Sequence, residues 1–288
     1  MTTSQKIGTA TLGTDIADDD RFAMWDAGTG SWRPVKIALI SGTIPSVSVN
    51  DLQSGGAIGT AADTVDKAPV IVVNQTTSAK LITLPTPTDT TRAKKITLVA
   101  GSTARLWTAY KRVILPGMSA SFTYVPSVGW KADDVGVQVM FQSGAAQAYP
   151  ADTNSNDITL GTIPGGFLGA NDAVEYRVIV DNTSGTSNKT LRYKFGGQDA
   201  LSIGPHMASA TSSMSIFKSV RNANSTSSQV IMATGLVGDS SINTPSAPAA
   251  ALSVNTANDV ACAVTITKAT GSDVTTLRAY EIIYHPAP

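Results

Sequence analysis

Short apolar runs broken by turn chemistry dominate the chain from residue 68 onward. "APVIVVNQ" is an almost unbroken apolar run, the mark of a strand buried on both faces. "KLITLPTPTDTTRAKKITLVAG" predicts two strands, 81–84 and 95–99, around a Pro/Thr/Asp turn. In "RLWTAYKRVILPGMSASFTYVPSVGWKA", Pro116-Gly117 marks a turn, after which Ser119, Ser121 and Thr123 alternate with Ala120, Phe122 and Tyr124. The pattern predicts a small β-sandwich or barrel over 68–135.

A second series of strands follows, predicted at 137–142, 158–163, 173–180, 189–195, 201–203, 214–221, 229–235, 250–254, 260–268 and 275–285. The connections "NTSGTSN", "GGQD", "NANSTSS" and "GDSSINTPSAP" are rich in Gly, Asn, Asp and Ser. This spacing predicts a jelly-roll-like β-sandwich over 136–288, closed by the long final strand "TTLRAYEIIYHP". No fixed-period repeat is present, which disfavours a β-helix or propeller. Ahead of these units, Val35, Ile37 and Leu39 alternate with Lys36 and Ala38 in an N-terminal arm over 1–42. Residues 43–67, with "SGGAIG" in their middle, read as a linker. The predicted class is all-β.

Composition narrows the functions open to such a chain. Its 288 residues carry a formal net charge of +0, with 15% charged residues. No basic field is available for nucleic acid or an acidic membrane surface. Ser, Thr, Ala, Gly, Asn and Val dominate while Glu and Lys are sparse, which suits β-branched strands and small-residue turns. "MTTSQKIGTATLG" lacks the basic start and apolar middle of a signal peptide, so synthesis in a cytoplasm is expected. No apolar run approaches the about eighteen residues of a membrane-spanning helix, so no membrane insertion is expected. The lone Cys262, in the strand-like "DVACAVTITK", reads as a small buried hydrophobe.

Candidate chemistry is thin. His206 sits in the turn "IGPHMAS" and His285 lies near the end, neither with a ligand at metal-binding spacing. No G-x-S-x-G, P-loop or dinucleotide fingerprint occurs; "GGFLG" lacks the strand–turn–helix setting. Glu175 and Glu281 each fall mid-strand at polar-face positions, and Asp18-Asp19-Asp20 and Asp133-Asp134 lie in turns. The expectation is no enzyme, no cofactor and no metal.

Three segments resemble tailed-bacteriophage fibre and spike proteins. "TATLGTDIADDDRFAMWDAGTGSWRPVKIALISG" is similar to their opening modules. "KLITLPTPTDTTRAKKITLVAGSTARLW", continued by "VILPGMSASFTYVPSVGW", resembles a β module common in phage fibres. "LGTIPGGFLGANDAVEYRVIVDNTSGTSNKTLRYKFGG" looks like the jelly-roll-type tip domain of the same proteins. The resemblance implies a virion protein assembled in the host cytoplasm. It would be a homotrimeric fibre or spike, anchored by its N-terminus and facing outward with its C-terminal domain. Apolar runs numerous for a small domain would then be buried between copies.

The stretch "DDDRFAMWDAGTGSWRP" fits the anchor. Phe22, Met24, Trp25 and Trp32 surround a Gly-Thr-Gly turn, so a hairpin would gather them. In one reading this hairpin docks onto another copy or onto a portal, tail adaptor or capsid protein. Trp25, Trp32 and Phe22 would then supply the contact, and Arg21, Asp26 and Arg33 would set its orientation. In the other, it packs onto its own chain as a small core. At the far end, the polar loops could hydrogen-bond a host cell-surface glycan while Tyr176, Tyr193 or Tyr284 stacks on a sugar ring; equally, they are ordinary β-turns. Rival functions are a capsid decoration protein, a glycan-cleaving tailspike and a secreted lectin, the last disfavoured by the expected lack of a signal peptide.

Overall fold

Two antiparallel strands, β1 (Arg21–Asp26) and β2 (Ser31–Lys36), pair with Trp25 opposite Trp32 and Phe22 opposite Val35. The computed structural model describes residues 21–26, 31–36, 45–50, 55–76, 80–88, 93–185, 187–206, 212–238 and 251–287. The side chains of β1 and β2 fall outside that description. Residues 1–45 and 46–288 form separate compact units.

The larger unit begins with β3 (Ser46–Asn50), β4 (Gly56–Ala57), β5 (Val70–Asn74), β6 (Ile82–Thr83), β7 (Ala93–Leu98), β8 (Leu106–Trp107), β9 (Val113–Ile114), β10 (Ser119–Val125) and β11 (Gly129–Ala132). Five of these make a mixed sheet in the order β11-β10-β7-β5-β3. The β3–β5 and β5–β7 pairs are parallel, the others antiparallel. Ile71, Val73, Ile96, Leu98, Phe122 and Trp130 point into its core. The expected linker at 43–67 is corrected here: β3 extends the sheet, and Ile58 and Val65 are buried completely in the same core. Apolar side chains between glycines override the flexible look of "SGGAIG". The "APVIVVNQ" run is likewise buried on one face and only half-buried on the other.

Next come β12 (Gln138–Ser143), β13 (Gln147–Ala148), β14 (Asn156–Ile163), β15 (Ala173–Ser184), β16 (Lys189–Phe195), β17 (Gln198–His206), β18 (Ser212–Asn222), β19 (Gln229–Gly238), β20 (Val260–Lys268) and β21 (Val274–His285). One sheet runs β12-β21-β15-β18-β19, with β13 also on β21; the other runs β14-β20-β16-β17. The pairings nest: β12 with β21, β14 with β20, β15 with β18 and β16 with β17, all antiparallel. That nesting is one long two-stranded ribbon rolled so that β15 meets β21 and β16 meets β20. It is jelly-roll topology, with β19 as an added edge strand. The described residues contain no helix.

Alternation explains the core between the two sheets. Val174, Tyr176, Val178 and Val180 from β15 meet Leu191, Tyr193 and Phe195 from β16 and Val260, Cys262, Val264 and Ile266 from β20. Each large side chain so buried contributes about 1.5–3 kcal/mol. Gly161 lies at a register shift between β14 and β20, where the Phe141 ring occupies the space a Cβ would need. The strand predicted at 250–254 is reduced to a bridge between Leu252 and Gln229. The Gln229 amide holds this segment instead, donating to Val254 O at 2.8 Å and accepting from Val254 N at 2.9 Å.

The boundary expected near residue 136 does not separate two bodies. Trp107 and Val113 belong to the jelly-roll core, with Trp107 packed edge-on against Phe167 at 4.9 Å. Gln138 accepts from Val113 N and donates to Lys111 O across the junction. Among the described residues, Ile71, Trp107, Phe141 and Val264 are buried in the two cores, while Val137, Val230 and Val274 stay exposed.

Candidate functional site

The outer face of the β12-β21-β15-β18 sheet carries an open groove of about 650 Å3. Strand register builds it. Gln142 pairs with Glu281, Glu281 with Arg177, and Arg177 with Phe217, so one row of outward side chains crosses four strands. A second row, Ala279, Ile179 and Ser215, forms its floor.

Arg177 is the hub of the first row. Its Nε donates to Glu175 Oε1 at 2.6 Å, and its Nη1 lies 3.7 Å from Glu281 Oε2. Its guanidinium carbon sits 5.8 Å from the Phe217 ring centroid, within cation–π range. The other oxygen of Glu175, Oε2, lies 2.9 Å from His285 Nε2. Both glutamates of the chain are thus drawn to one guanidinium. Chemically the groove offers an aromatic face, forked polar groups and a small-residue floor.

The tyrosines expected to stack on a sugar do not line it. Tyr176, Tyr193 and Tyr284 are all completely buried. Tyr176 donates to Lys194 O at 2.9 Å, and Tyr284 donates to Asp172 Oδ2 at 2.8 Å. Among the described residues the Tyr193 hydroxyl has no hydrogen-bond partner. Burial pushes all three phenols well above their ordinary value. The reason for the correction is strand parity: Tyr176 alternates with Glu175 and Arg177, so a polar outward face turns it into the core.

The predicted polar loops are also used internally. Asn182 Nδ2 donates to Gly185 O, Ser187 Oγ donates to Asp273, and the buried Asn222 Nδ2 donates to Gly169 O at 2.7 Å. The loop after Gly238 lies outside the described residues. Asp133 accepts from Thr123 Oγ1 at 2.7 Å, a hairpin contact. Asp18-Asp19-Asp20 and the His206 side chain lie outside the described residues. So do the side chains of the docking candidates Arg21, Phe22, Trp25, Asp26, Trp32 and Arg33, whose backbone the hairpin register brings together.

Phe217 escaped the sequence reading although a signal was there. It alternates with Ser213, Ser215, Ser219 and Arg221, an aromatic in the polar register of its strand.

No family model matches the sequence, and no curated protein matches it. Among solved structures, the chain is similar to that of infectious bursal disease virus, Gx strain, with TM-score 0.21 and 10% identity over 61% of this chain and 47% of that one. The Gt strain structure gives TM-score 0.19 and 13% identity over 61% and 52%. The chain therefore spans about half the length of the structures it matches. Likeness at this level carries no argument about function.

Proposed function

We propose that this chain is a structural, non-enzymatic virion protein of a tailed phage or phage-like particle. It is a homotrimeric fibre or spike that mounts through its N-terminal hairpin and presents its jelly roll for host-surface attachment. The observation that carries the reading is the division of labour along the chain. Trp25 pairs with Trp32 in a unit of its own, while the cores of the larger unit are built from residues between Ile58 and Tyr284. At about 25 cal/mol per Å2, burying two tryptophans against a partner is worth several kcal/mol, enough for an anchor. In this reading the hairpin unit mounts the fibre, and exposed apolar side chains of the larger unit such as Val128, Val137 and Val230 are available for contacts between copies. Jelly rolls serve both viral coats and lectins, an analogy of architecture only.

Antibody labelling of purified particles, viewed by electron microscopy, tests this. Label at a tail tip or vertex is expected. A lattice-wide label identifies a decoration protein instead, and absence from particles removes the virion reading.

A further inference from the structure

We propose that the cleft at the junction of the mixed sheet and the jelly roll binds a carboxylated sugar residue through Arg105. The inference rests on the attachment reading for the source of the sugar, while its chemistry comes from the cleft itself. Arg105, just ahead of β8, lines a cleft of about 330 Å3 with Thr76 and Thr103 on one side and Phe141, Gly161 and Thr162 on the other. Its guanidinium carbon lies 4.5 Å from the centroid of the Phe141 ring, within cation–π range. That ring is itself fixed: Trp107 packs against it at 5.5 Å, and it fills the space over Gly161. Arg105 is therefore held in place before any ligand arrives, which lowers the ordering cost of binding.

The guanidinium calls for a counter-charge. Its Nε is enclosed yet meets no hydrogen-bond partner among the described residues. No carboxylate among them lies within ion-pair distance of it. Burial lowers the Arg105 pKa from its ordinary value, because the charged form loses water. An enclosed cation is normally paired, since desolvation without a partner is costly. A carboxylate supplies both the charge and two acceptors matched to the guanidinium fork. The rim selects what carries that carboxylate. Thr103 Oγ1 donates to Thr76 O at 2.7 Å, which orients its oxygen as an acceptor, and the exposed Thr162 brings a second hydroxyl from β14. These groups suit the hydroxyls of a sugar better than the chain of an aliphatic acid. The volume lies at the low end of the range of about 300–1,000 Å3 for small-ligand sites, room for one acidic sugar residue.

The test is isothermal titration of the purified full chain with glucuronate, galacturonate and N-acetylneuraminate, with glucose, acetate and inorganic phosphate as controls. Binding of an acidic sugar is expected, weakened about tenfold or more by Arg105→Ala. Arg105→Lys should also weaken it, since an ammonium keeps the charge but not the fork. Thr162→Trp, at the exposed rim, should block the cleft with Arg105 intact. Arg278→Ala, which removes an equal charge at an exposed site elsewhere, should leave binding unchanged. Circular dichroism melts check that each variant is folded. No acidic sugar bound, glucose, acetate or phosphate bound as tightly as the acidic sugars, or binding indifferent to Arg105→Ala or to Thr162→Trp would each overturn the proposal. Loss of the virion assignment by particle labelling would remove the attachment role without touching this result.

Discussion

The Lys189 ammonium lies 2.8 Å from the Asp273 carboxylate, with side-chain exposures of only 1% and 5%. Ser187 Oγ donates to the same carboxylate, while Lys268 Nζ donates to the Asp273 carbonyl at 2.9 Å. Removing the carboxylate strands a buried ammonium, so Asp273→Ala should cost about 3–5 kcal/mol in chemical denaturation. The hydrogen bond from Lys189, then that from Ser187, hold the Asp273 carboxyl below the usual aspartate range. A depressed carboxyl stabilises the fold above its unfolded value, about 3.9, and that contribution fades as pH falls through the lower folded value. The stability gap between wild type and Asp273→Asn should therefore hold from neutral pH to about pH 4 and narrow below it. A gap that widens on acidification would contradict this assignment.

The two core tyrosines predict opposite outcomes. Tyr176→Phe removes a hydrogen bond to Lys194 O and should cost about 1 kcal/mol. Tyr193→Phe removes a buried hydroxyl that has no partner among the described residues and should be neutral or stabilising. Parallel urea titrations distinguish them; equal losses would show that Tyr193 is hydrogen-bonded after all.

Gly161→Ala places a methyl group where the Phe141 ring already sits. A loss of about 1–3 kcal/mol is expected. Pairing it with Phe141→Leu should recover part of that loss, a coupling a double-mutant cycle reads directly. Strict additivity would place the strain elsewhere.

Cys262 is completely buried, and burial pushes its thiol up to about 12. At pH 8 it stays protonated and enclosed. A colorimetric thiol reagent should react with the native chain at least a hundredfold more slowly than with the chain in denaturant, about the ratio a few kcal/mol of opening energy gives. Fast native labelling would contradict the packing of β20.

Much of the jelly roll was legible because strands such as β16 alternate and β20 reads as a continuous apolar run. Predicted spans at 189–195 and 260–268 coincide with β16 and β20. Spans failed where tertiary packing replaced local pattern. Residues 55–67 read as linker because their apolar groups are too widely spaced for a periodic signal, yet Ile58 and Val65 fill the core of the mixed sheet. Residues 250–254 read as strand, whereas the Gln229 side chain supplies the hydrogen bonds a neighbouring strand would have given. The groove was less visible. Its four-strand row depends on register between segments far apart in sequence, which periodicity within one segment cannot supply. Parity alone, however, separates inward Tyr176 from outward Arg177 and marks Phe217 as out of place.

Incorporation into particles of a chain lacking residues 1–45 tests the mounting role of the hairpin most directly. Residues 46–288 alone should fold with an unchanged melting profile, yet be absent from particles purified in the same way as those that contain the full chain. Incorporation of the shortened chain at full-length levels would contradict it.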